Sequence, residues 1–165
     1  MRGPFTLLLF AAVAVLAGTA VYFYDHHQPA APSQVSGTPV TYSELAHGAN
    51  STVLSRRNYA VHSEPELQQL WQMTDAAGQV PEVDFSAYDV IAVFAGQKTT
   101  AGYSIAVSSV ADTASERRIG ITISSPGGSC VLAEQLTAPY QIIEVPKSSL
   151  PLTHADTQVT ESCLE

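Results

Sequence analysis

The chain has 165 residues, two cysteines and a formal net charge of −8 at pH 7. Once residues 1–24 are set aside, this length is enough for one domain with a hydrophobic core but not for two. Because nucleic acids and anionic lipids attract cationic surfaces, the excess of 15 acidic over 7 basic residues argues against either as a partner.

Residues 1–24 have the composition of an export segment. After Arg2 the chain carries no charge until Asp25, and a run of about 20 apolar residues matches a hydrocarbon core of about 30 Å. Soluble helices keep a polar face, which this run lacks. Since Arg2 is the only basic residue before the run, the positive-inside rule places the rest of the chain outside the cytoplasm. We therefore expect an extracytoplasmic protein, in the periplasm or at the cell surface.

Two fates of the export segment remain open. In a signal peptide, residues 7–16 would form the hydrophobic region, and Gly-Thr-Ala at 18–20 would precede cleavage. In a retained single span, residues 21–24 would prolong the apolar run and place aromatic rings at the headgroup level. The longer apolar run favours the retained anchor, which would be the protein's only membrane contact. Residues 25–39, rich in proline and alanine, predict a linker to a single domain over 40–165.

The domain begins with strand patterns, continues with one helix and then returns to strands. Partial alternation predicts an opening pair of strands at 41–47 and 57–63. Ser63 and Glu66 fit a capping box, so we expect one amphipathic helix over 64–77. A continuous apolar run predicts a strand buried on both faces at 88–95, and further strands are predicted at 103–110, 119–125 and 140–145. The pattern indicates an α+β fold: a mostly antiparallel, sandwich-like β domain, mostly connected by hairpins, with one helix near its start.

The two cysteines, Cys130 and Cys163, predict a disulfide, because an even pair in an oxidising compartment is ordinarily oxidised. Closing a loop of this length contributes on the order of 3 to 4 kcal/mol in the chain-entropy model. The bond would also hold the C-terminal tail. The two cysteines are too far apart in the sequence for a redox-active motif.

No catalytic or metal-binding motif occurs in the sequence. The five histidines lack metal-ligand spacing, and the signatures of serine hydrolases, zinc proteases, phosphate-binding loops and dinucleotide-binding folds are missing. We therefore expect no enzyme activity, no cofactor and no metal. An envelope hydrolase is the least favoured alternative, because a nucleophile, a base and an orienting group would have to converge from distant parts of the chain.

Three turn-rich loops, at 97–103, 125–129 and 136–140, are candidates for partner binding. As ordinary turns they would use Gly102, Gly127 and Gly128 for positive φ. As a binding surface they would present Tyr103 and Tyr140 as aromatic anchors for a protein partner. The candidate partner-binding residues are Thr99, Thr100, Gly102, Tyr103, Gly127, Gly128, Pro139 and Tyr140.

The stretch VDFSAYDVIAVFAGQKTTAGYSIAV at 83–107, with TAPYQIIEVPK at 137–147, resembles the C-terminal domain of the PrcB family. The most specific features are a buried strand ending in glycine, a Thr-Gly-Tyr turn, and Pro-Tyr before a last strand and Pro-Lys. Ala101 stands where the family often has glycine. The family is named for a subunit of a bacterial cell-surface protease complex. The resemblance, which covers residues 50–147, implies an exported, non-catalytic accessory domain that needs no cofactor and binds a protein, with a protease among the candidate partners.

A second similarity concerns the loops alone. The segments TTAGY, PGGS and TAPY occur in the order of the three loops with which chagasin-like inhibitors occupy the cleft of cysteine proteases. The leading Asn-Pro of the first motif and the Arg before the proline of the third are missing here. This similarity implies an alternative function, a protease inhibitor acting through the loops 97–103, 125–129 and 136–140.

Overall fold

The computed structural model describes residues 37–163, so the predicted export segment and nearly all of the predicted linker lie outside the described residues. Among the described residues, no helix has the length and apolar character needed to cross a membrane. The chain from 37 to 163 forms eight strands and one helix: β1 (Thr38–Pro39), β2 (Ser43–Gly48), β3 (Arg57–Val61), α1 (Glu64–Trp71), β4 (Tyr88–Phe94), β5 (Ser104–Asp112), β6 (Arg117–Pro126), β7 (Tyr140–Pro146) and β8 (Leu152–Glu161).

The strands form two four-stranded sheets. Sheet I has the order β1-β5-β6-β8, and sheet II has the order β2-β7-β4-β3. Every neighbouring pair is antiparallel except β6 and β8, which run parallel. The predicted mostly antiparallel, sandwich-like domain with one helix near its start is therefore confirmed.

The centre of sheet II is buried on both faces, because sheet I covers one face and α1 the other. In β4, Ile91 and Val93 belong to the core between the sheets. The alternate residues of β4, including Val90 and Phe94, pack with Leu67 of the helix. A strand between two layers needs apolar side chains at every position, which explains the continuous apolar run of β4.

The helix is shorter than predicted and ends at Trp71 instead of residue 77. Beyond it the chain turns, and residues 73–75 bond to the segment that precedes β3. The amide of Thr52 donates to the Met73 carbonyl at 2.8 Å, and the amide of Asp75 donates to the Asn50 carbonyl at 3.2 Å. These tertiary hydrogen bonds replace further helical turns, and a sequence pattern does not reveal them.

The predicted capping box forms only in part. Ser63 occupies the N-cap but makes no side-chain capping bond. Glu66 accepts a hydrogen bond from the amide of His62 at 2.8 Å, one residue earlier than the box requires. The start of the helix was therefore correctly placed, and the carboxylate still satisfies an amide next to the first turn.

The predicted opening pair of strands is wrong in its pairing. Strands β2 and β3 exist, but they lie at opposite edges of sheet II with β7 and β4 between them. The hairpin prediction also fails for most connections, because the chain passes between the sheets from β4 to β5, from β6 to β7 and from β7 to β8. Strand β8 was not predicted, since LTHADTQVTE lacks apolar alternation and is mostly exposed.

Candidate functional site

The three predicted loops meet at one end of the sandwich. Lys98 and Thr137 form a short antiparallel bridge, with N–O distances of 2.7 and 3.1 Å. The amide of Ala101 donates to the Ala133 carbonyl at 3.2 Å. On the other side, the amide of Gln97 donates to the Leu54 carbonyl at 3.1 Å. We call this surface the loop end and define it as residues 54–56, 96–103 and 126–138.

Gly102 brings the first loop against the second. Its φ is +88°, and a Cβ at this position would lie 3.3 Å from Pro126 Cβ. The predicted positive φ is therefore confirmed at Gly102 and wrong at Gly127 and Gly128, neither of which has positive φ. Gly127 has a different role, because its amide donates to the Glu161 carbonyl at 2.8 Å.

The disulfide predicted between Cys130 and Cys163 is present, with the two Cα atoms 5.4 Å apart. Cys130 lies in the loop after β6, and Cys163 lies just after β8. Together with the hydrogen bond from Gly127, the disulfide fixes the second loop to the end of β8. The second loop is thus attached to the end of β8 at both Gly127 and Cys130.

The first loop is accessible to a partner. Thr99 and Gly102 are exposed, and Thr100 and Tyr103 are half-buried. The Lys98 ammonium lies 5.5 Å from the centre of the Tyr103 ring, a distance at which a cation and an aromatic face attract. This contact restricts the ring before a partner arrives.

The third loop does not present its aromatic residue. Tyr140 is only 1 % exposed, and its ring stacks on Phe94 with centroids 6.0 Å apart. Burial raises the pKa of the Tyr140 hydroxyl, and the nearby Asp75 carboxylate adds to this effect. Pro139 is buried as well, and its carbonyl accepts a hydrogen bond from Ala95 at 2.9 Å. Tyr140 therefore belongs to the core and Pro139 is buried, so neither side chain is exposed as the prediction for the third loop requires.

A shallow depression of about 430 Å³ lies beside Tyr103. Its polar residues bond mainly to one another and to the backbone. Gln141 accepts a hydrogen bond from the Val107 amide at 2.6 Å and donates to the Glu44 carboxylate, while His47 lies 2.7 Å from the same carboxylate. The hydrogen bond from Gln141 lowers the pKa of Glu44 by more than burial raises it, and the His47 contact adds to the lowering. These bonds join the edge of sheet II to sheet I.

Three exposed apolar side chains at the loop end were missed by the sequence reading. Val131 is fully exposed, Leu54 is 63 % exposed and Leu136 is 62 % exposed, the three largest values among large apolar residues in the described range. Their only sequence signal is that they lie in stretches that have neither strand nor helix periodicity. Among residues 37–163, no group of three or more His, Cys, Asp or Glu side chains is arranged to hold a metal ion. The loop end therefore offers contact surface.

Comparison with known proteins gives one match. A family model described as PrcB C-terminal matches residues 90–146. No curated protein and no solved structure matched the chain. The matched segment begins inside β4 and ends with the last residue of β7, so it contains all three loops. The resemblance to the PrcB family is thereby confirmed over these residues, which are similar to the family's C-terminal domain.

Proposed function

We propose that the protein is a non-catalytic accessory domain that binds a protein partner through the loop end, and that this partner is a protease of an envelope or cell-surface complex. The observation that carries the proposal is the concentration of exposed apolar side chains at the loop end. Val131 and Leu136 also lie within the segment that matches the PrcB family. Exposed apolar side chains grouped on one surface mark protein contacts more often than chance exposure does.

The loop end is held ready for binding by the fold beneath it. Strands β4 and β7, which lead into and out of the loops, are among the most deeply buried in the domain. The Lys98–Thr137 bridge and the disulfide at Cys130 restrain the loops themselves. A surface that is ordered before binding loses less conformational entropy on association. This arrangement supports a preformed docking surface.

The chemistry of the loop end fits a protein partner better than a nucleic acid or an anionic membrane. The chain has a net charge of −8, which opposes binding to phosphate-rich surfaces. The accessible groups include three large apolar side chains and the half-buried ring of Tyr103. Apolar and aromatic side chains are characteristic of the buried core of protein interfaces.

The proposed location is extracytoplasmic, with residues 1–24 as a single membrane anchor or a cleaved signal peptide. Two observations support it: the uncharged N-terminal run, and a disulfide, since such bonds persist in oxidising compartments. Protease added to intact spheroplasts should digest the domain. Protection until lysis would contradict export, and a mature N-terminus at Val21 would identify a cleaved signal peptide.

Site-specific photo-crosslinking in the producing cells tests the binding proposal. A photo-reactive amino acid replaces Val131 in the full chain, and a matched chain carries it at Gln69, which is exposed on α1. We expect a protease among the adducts of position 131 and not of position 69. The double substitution Leu54→Asp with Leu136→Asp should remove this adduct. Equal labelling from both positions, an adduct that survives the double substitution, or adducts without a protease would each overturn the proposal.

The chagasin-like alternative has no separate support in the geometry. Such an inhibitor presents three loops, whereas Pro139 and Tyr140 of the third loop are buried here. A titration against papain-like proteases should therefore give no inhibition. This assay distinguishes an accessory subunit from an inhibitor, because only the inhibitor lowers the activity of the protease that it binds.

A further inference from the structure

One of the four sheet edges lacks the usual protection against pairing. Edge strand β1 has two residues, β3 has five, and β2 is interrupted by a register shift between Glu44 and Ala46. Strand β8 has ten residues in unbroken register with β6, and it contains neither lysine nor proline. Natural proteins protect edges by short strands, bulges, proline or charged side chains, lysine above all, because an open edge pairs readily with another strand. In β8 the Asp156 carboxylate is paired with Arg56, so Glu161 at the end of the strand is its remaining acidic residue. Strand β8 is therefore a candidate for pairing.

The direction of the backbone groups of β8 follows from its pairing with β6. The Pro151 carbonyl accepts a hydrogen bond from Arg117 at 2.9 Å, and the Glu161 carbonyl accepts one from Gly127 at 2.8 Å. In a parallel pair the N–H and C=O groups of one residue point to the same side, and successive residues alternate. The backbone N–H and C=O groups of odd-numbered residues therefore point toward β6. Those of the even-numbered residues point away from β6, and we call these residues outward-facing: Leu152, His154, Asp156, Gln158 and Thr160.

The outward-facing positions carry an imidazole and a carboxylate in a pattern that is complementary to itself. Asp156 is held by Arg56, with two N–O distances of 2.9 Å, and His154 Nδ1 lies 3.0 Å from the Asp156 carboxylate. Residue 155 between them is alanine, whose small side chain does not obstruct a close approach. An antiparallel second β8 centred on residue 155 would place His154 opposite Asp156 twice.

We propose that two copies of this chain associate through antiparallel β8 strands, in the register centred on Ala155. Each His154 then lies opposite Asp156 of the second copy, where the imidazole can donate a hydrogen bond to the facing carboxylate. The outward N–H and C=O groups of both strands become paired, and the two copies of sheet I join into one continuous sheet. This interface is separate from the proposed function.

The self-complementary register distinguishes a second copy from an unrelated strand. Residues 154 and 156 face outward, so they form the hydrogen-bonded pairs, and Ala155 forms the non-hydrogen-bonded pair at the two-fold axis. The Cα atoms of such a pair approach to about 4.5 Å. The two copies would direct their loop ends in opposite directions along the strand axis. Association therefore leaves both loop ends open.

Cysteine crosslinking of the full chain in the producing cells tests the register. Ala155→Cys places two thiols within the Cα separation of about 4.4 to 6.8 Å that a disulfide requires. The matched control Thr157→Cys is equally exposed on β8, but in this register it faces residue 153. After mild oxidation we expect on the order of tenfold more reducible dimer from Ala155→Cys than from Thr157→Cys, since only the former pair meets that distance.

A proline variant tests whether the outward edge itself forms the contact. Gln158→Pro removes an outward N–H and leaves the β6 ladder complete, a position that an edge strand tolerates. Combined with Ala155→Cys it should abolish the crosslink while the melting temperature stays nearly unchanged. A persisting crosslink with the proline would overturn the proposal. So would absence of dimer from Ala155→Cys, or more dimer from Thr157→Cys than from Ala155→Cys.

Discussion

Arg56 and Asp156 lie 100 residues apart in the chain, and their side chains form a two-pronged ion pair with both N–O distances at 2.9 Å. The same guanidinium donates to the Phe94 carbonyl at 3.2 Å. Arg56 precedes β3, Phe94 ends β4 and Asp156 lies in β8, so this one side chain connects sheet II with sheet I. It does so beside a cleft of about 340 Å³ that is lined by residues of both sheets, including Ile91 and Ile121.

Replacing Arg56 with alanine should therefore weaken the link between the sheets. Both partners are about one quarter exposed, so we expect a loss of about 1 kcal/mol in the free energy of unfolding, near the upper end for partly exposed pairs. Arg118→Ala is the matched control: within residues 37–163 the ion-pair partner of Arg118 is Glu116, two residues away, and the change should cost less than about 0.5 kcal/mol. Urea unfolding of both variants measures the difference. Equal losses would contradict the linking role.

The same ion pair predicts a pH dependence. Burial alone would raise the pKa of Asp156, but Arg56 and, to a smaller extent, His154 outweigh it and hold that pKa below 3.8. A carboxyl group whose pKa is lower in the folded state stabilises the fold above its unfolded-state pKa, and this contribution is lost as the pH falls through the folded value. The stability difference between wild type and Arg56→Ala should hence shrink as the pH falls from about 5 to about 2. A constant difference over that range would show that Asp156 is not the partner responsible.

The disulfide should hold β8 more than it holds the rest of the domain. Replacing both Cys130 and Cys163 with alanine should lower the free energy of unfolding by about 3 to 4 kcal/mol, the value for a loop of this length in the chain-entropy model. Few side chains of β8 are buried. Removing the disulfide should therefore speed the exchange of β8 amides with solvent more than that of β4 amides. Hydrogen exchange followed by mass spectrometry measures both strands. Unchanged exchange in β8 would contradict this role.

Two glycines provide a matched test of backbone packing. Gly96 and Gly78 both have positive φ, +73° and +94°. A Cβ at Gly96 would lie 2.8 Å from the Arg56 nitrogen, whereas a Cβ at Gly78 meets nothing within 4 Å. Gly78→Ala should cost about 1 kcal/mol for the left-handed conformation alone. Gly96→Ala should cost roughly 3 kcal/mol, because the backbone of residues 55 and 56 must also move. Similar values in thermal unfolding would contradict the close contact.

Tyr103 and Tyr140, which the sequence predicts alike as aromatic anchors, should respond differently to substitution. The Tyr140 hydroxyl is buried beside Asp75 without a hydrogen bond to any described residue, so Tyr140→Phe should leave stability unchanged or raise it by up to about 1 kcal/mol. It should leave crosslinking at position 131 intact. Tyr103→Ala should reduce that crosslinking while leaving the melting temperature nearly unchanged, since this ring is half-buried at the loop end. A loss of crosslinking with Tyr140→Phe would restore Tyr140 as a contact residue.

The sequence sufficed where one strong local signal determines the structure. The apolar run of β4 can satisfy only a strand covered on both sides, and two cysteines have one pairing available within the chain. Its failures came from contacts between distant segments. The sequence predicted Tyr140 as the first residue of a strand and also as the last residue of a loop, and the loop suggested an exposed ring. Only Phe94, from another strand of the sheet, shows that the ring is covered.

The order of strands within a sheet was equally beyond the sequence. Both β2 and β3 carry polar residues suited to a sheet edge, and nothing local indicates that they occupy opposite edges. Strand β8 was missed because its pairing with β6 depends on backbone hydrogen bonds more than on buried side chains. The loop end was anticipated in its three segments, and its apolar residues were not, since exposure becomes visible only when the surrounding chain is in place.

The position of β7 in the middle of sheet II has a consequence for the order of folding. Strand β2 pairs with β7 alone, so Ser43 cannot pair until Glu144 has been synthesised. Contacts between residues so far apart form slowly, because a long loop has to close before any stabilisation is gained. A nascent chain that stops short of residue 140 can assemble only β3 with β4 in this sheet. Strand β2, the first strand of sheet II to be synthesised, therefore remains unpaired until β7, the last one, has been synthesised. Strand β7 ends the segment that matches the family and completes the sheet.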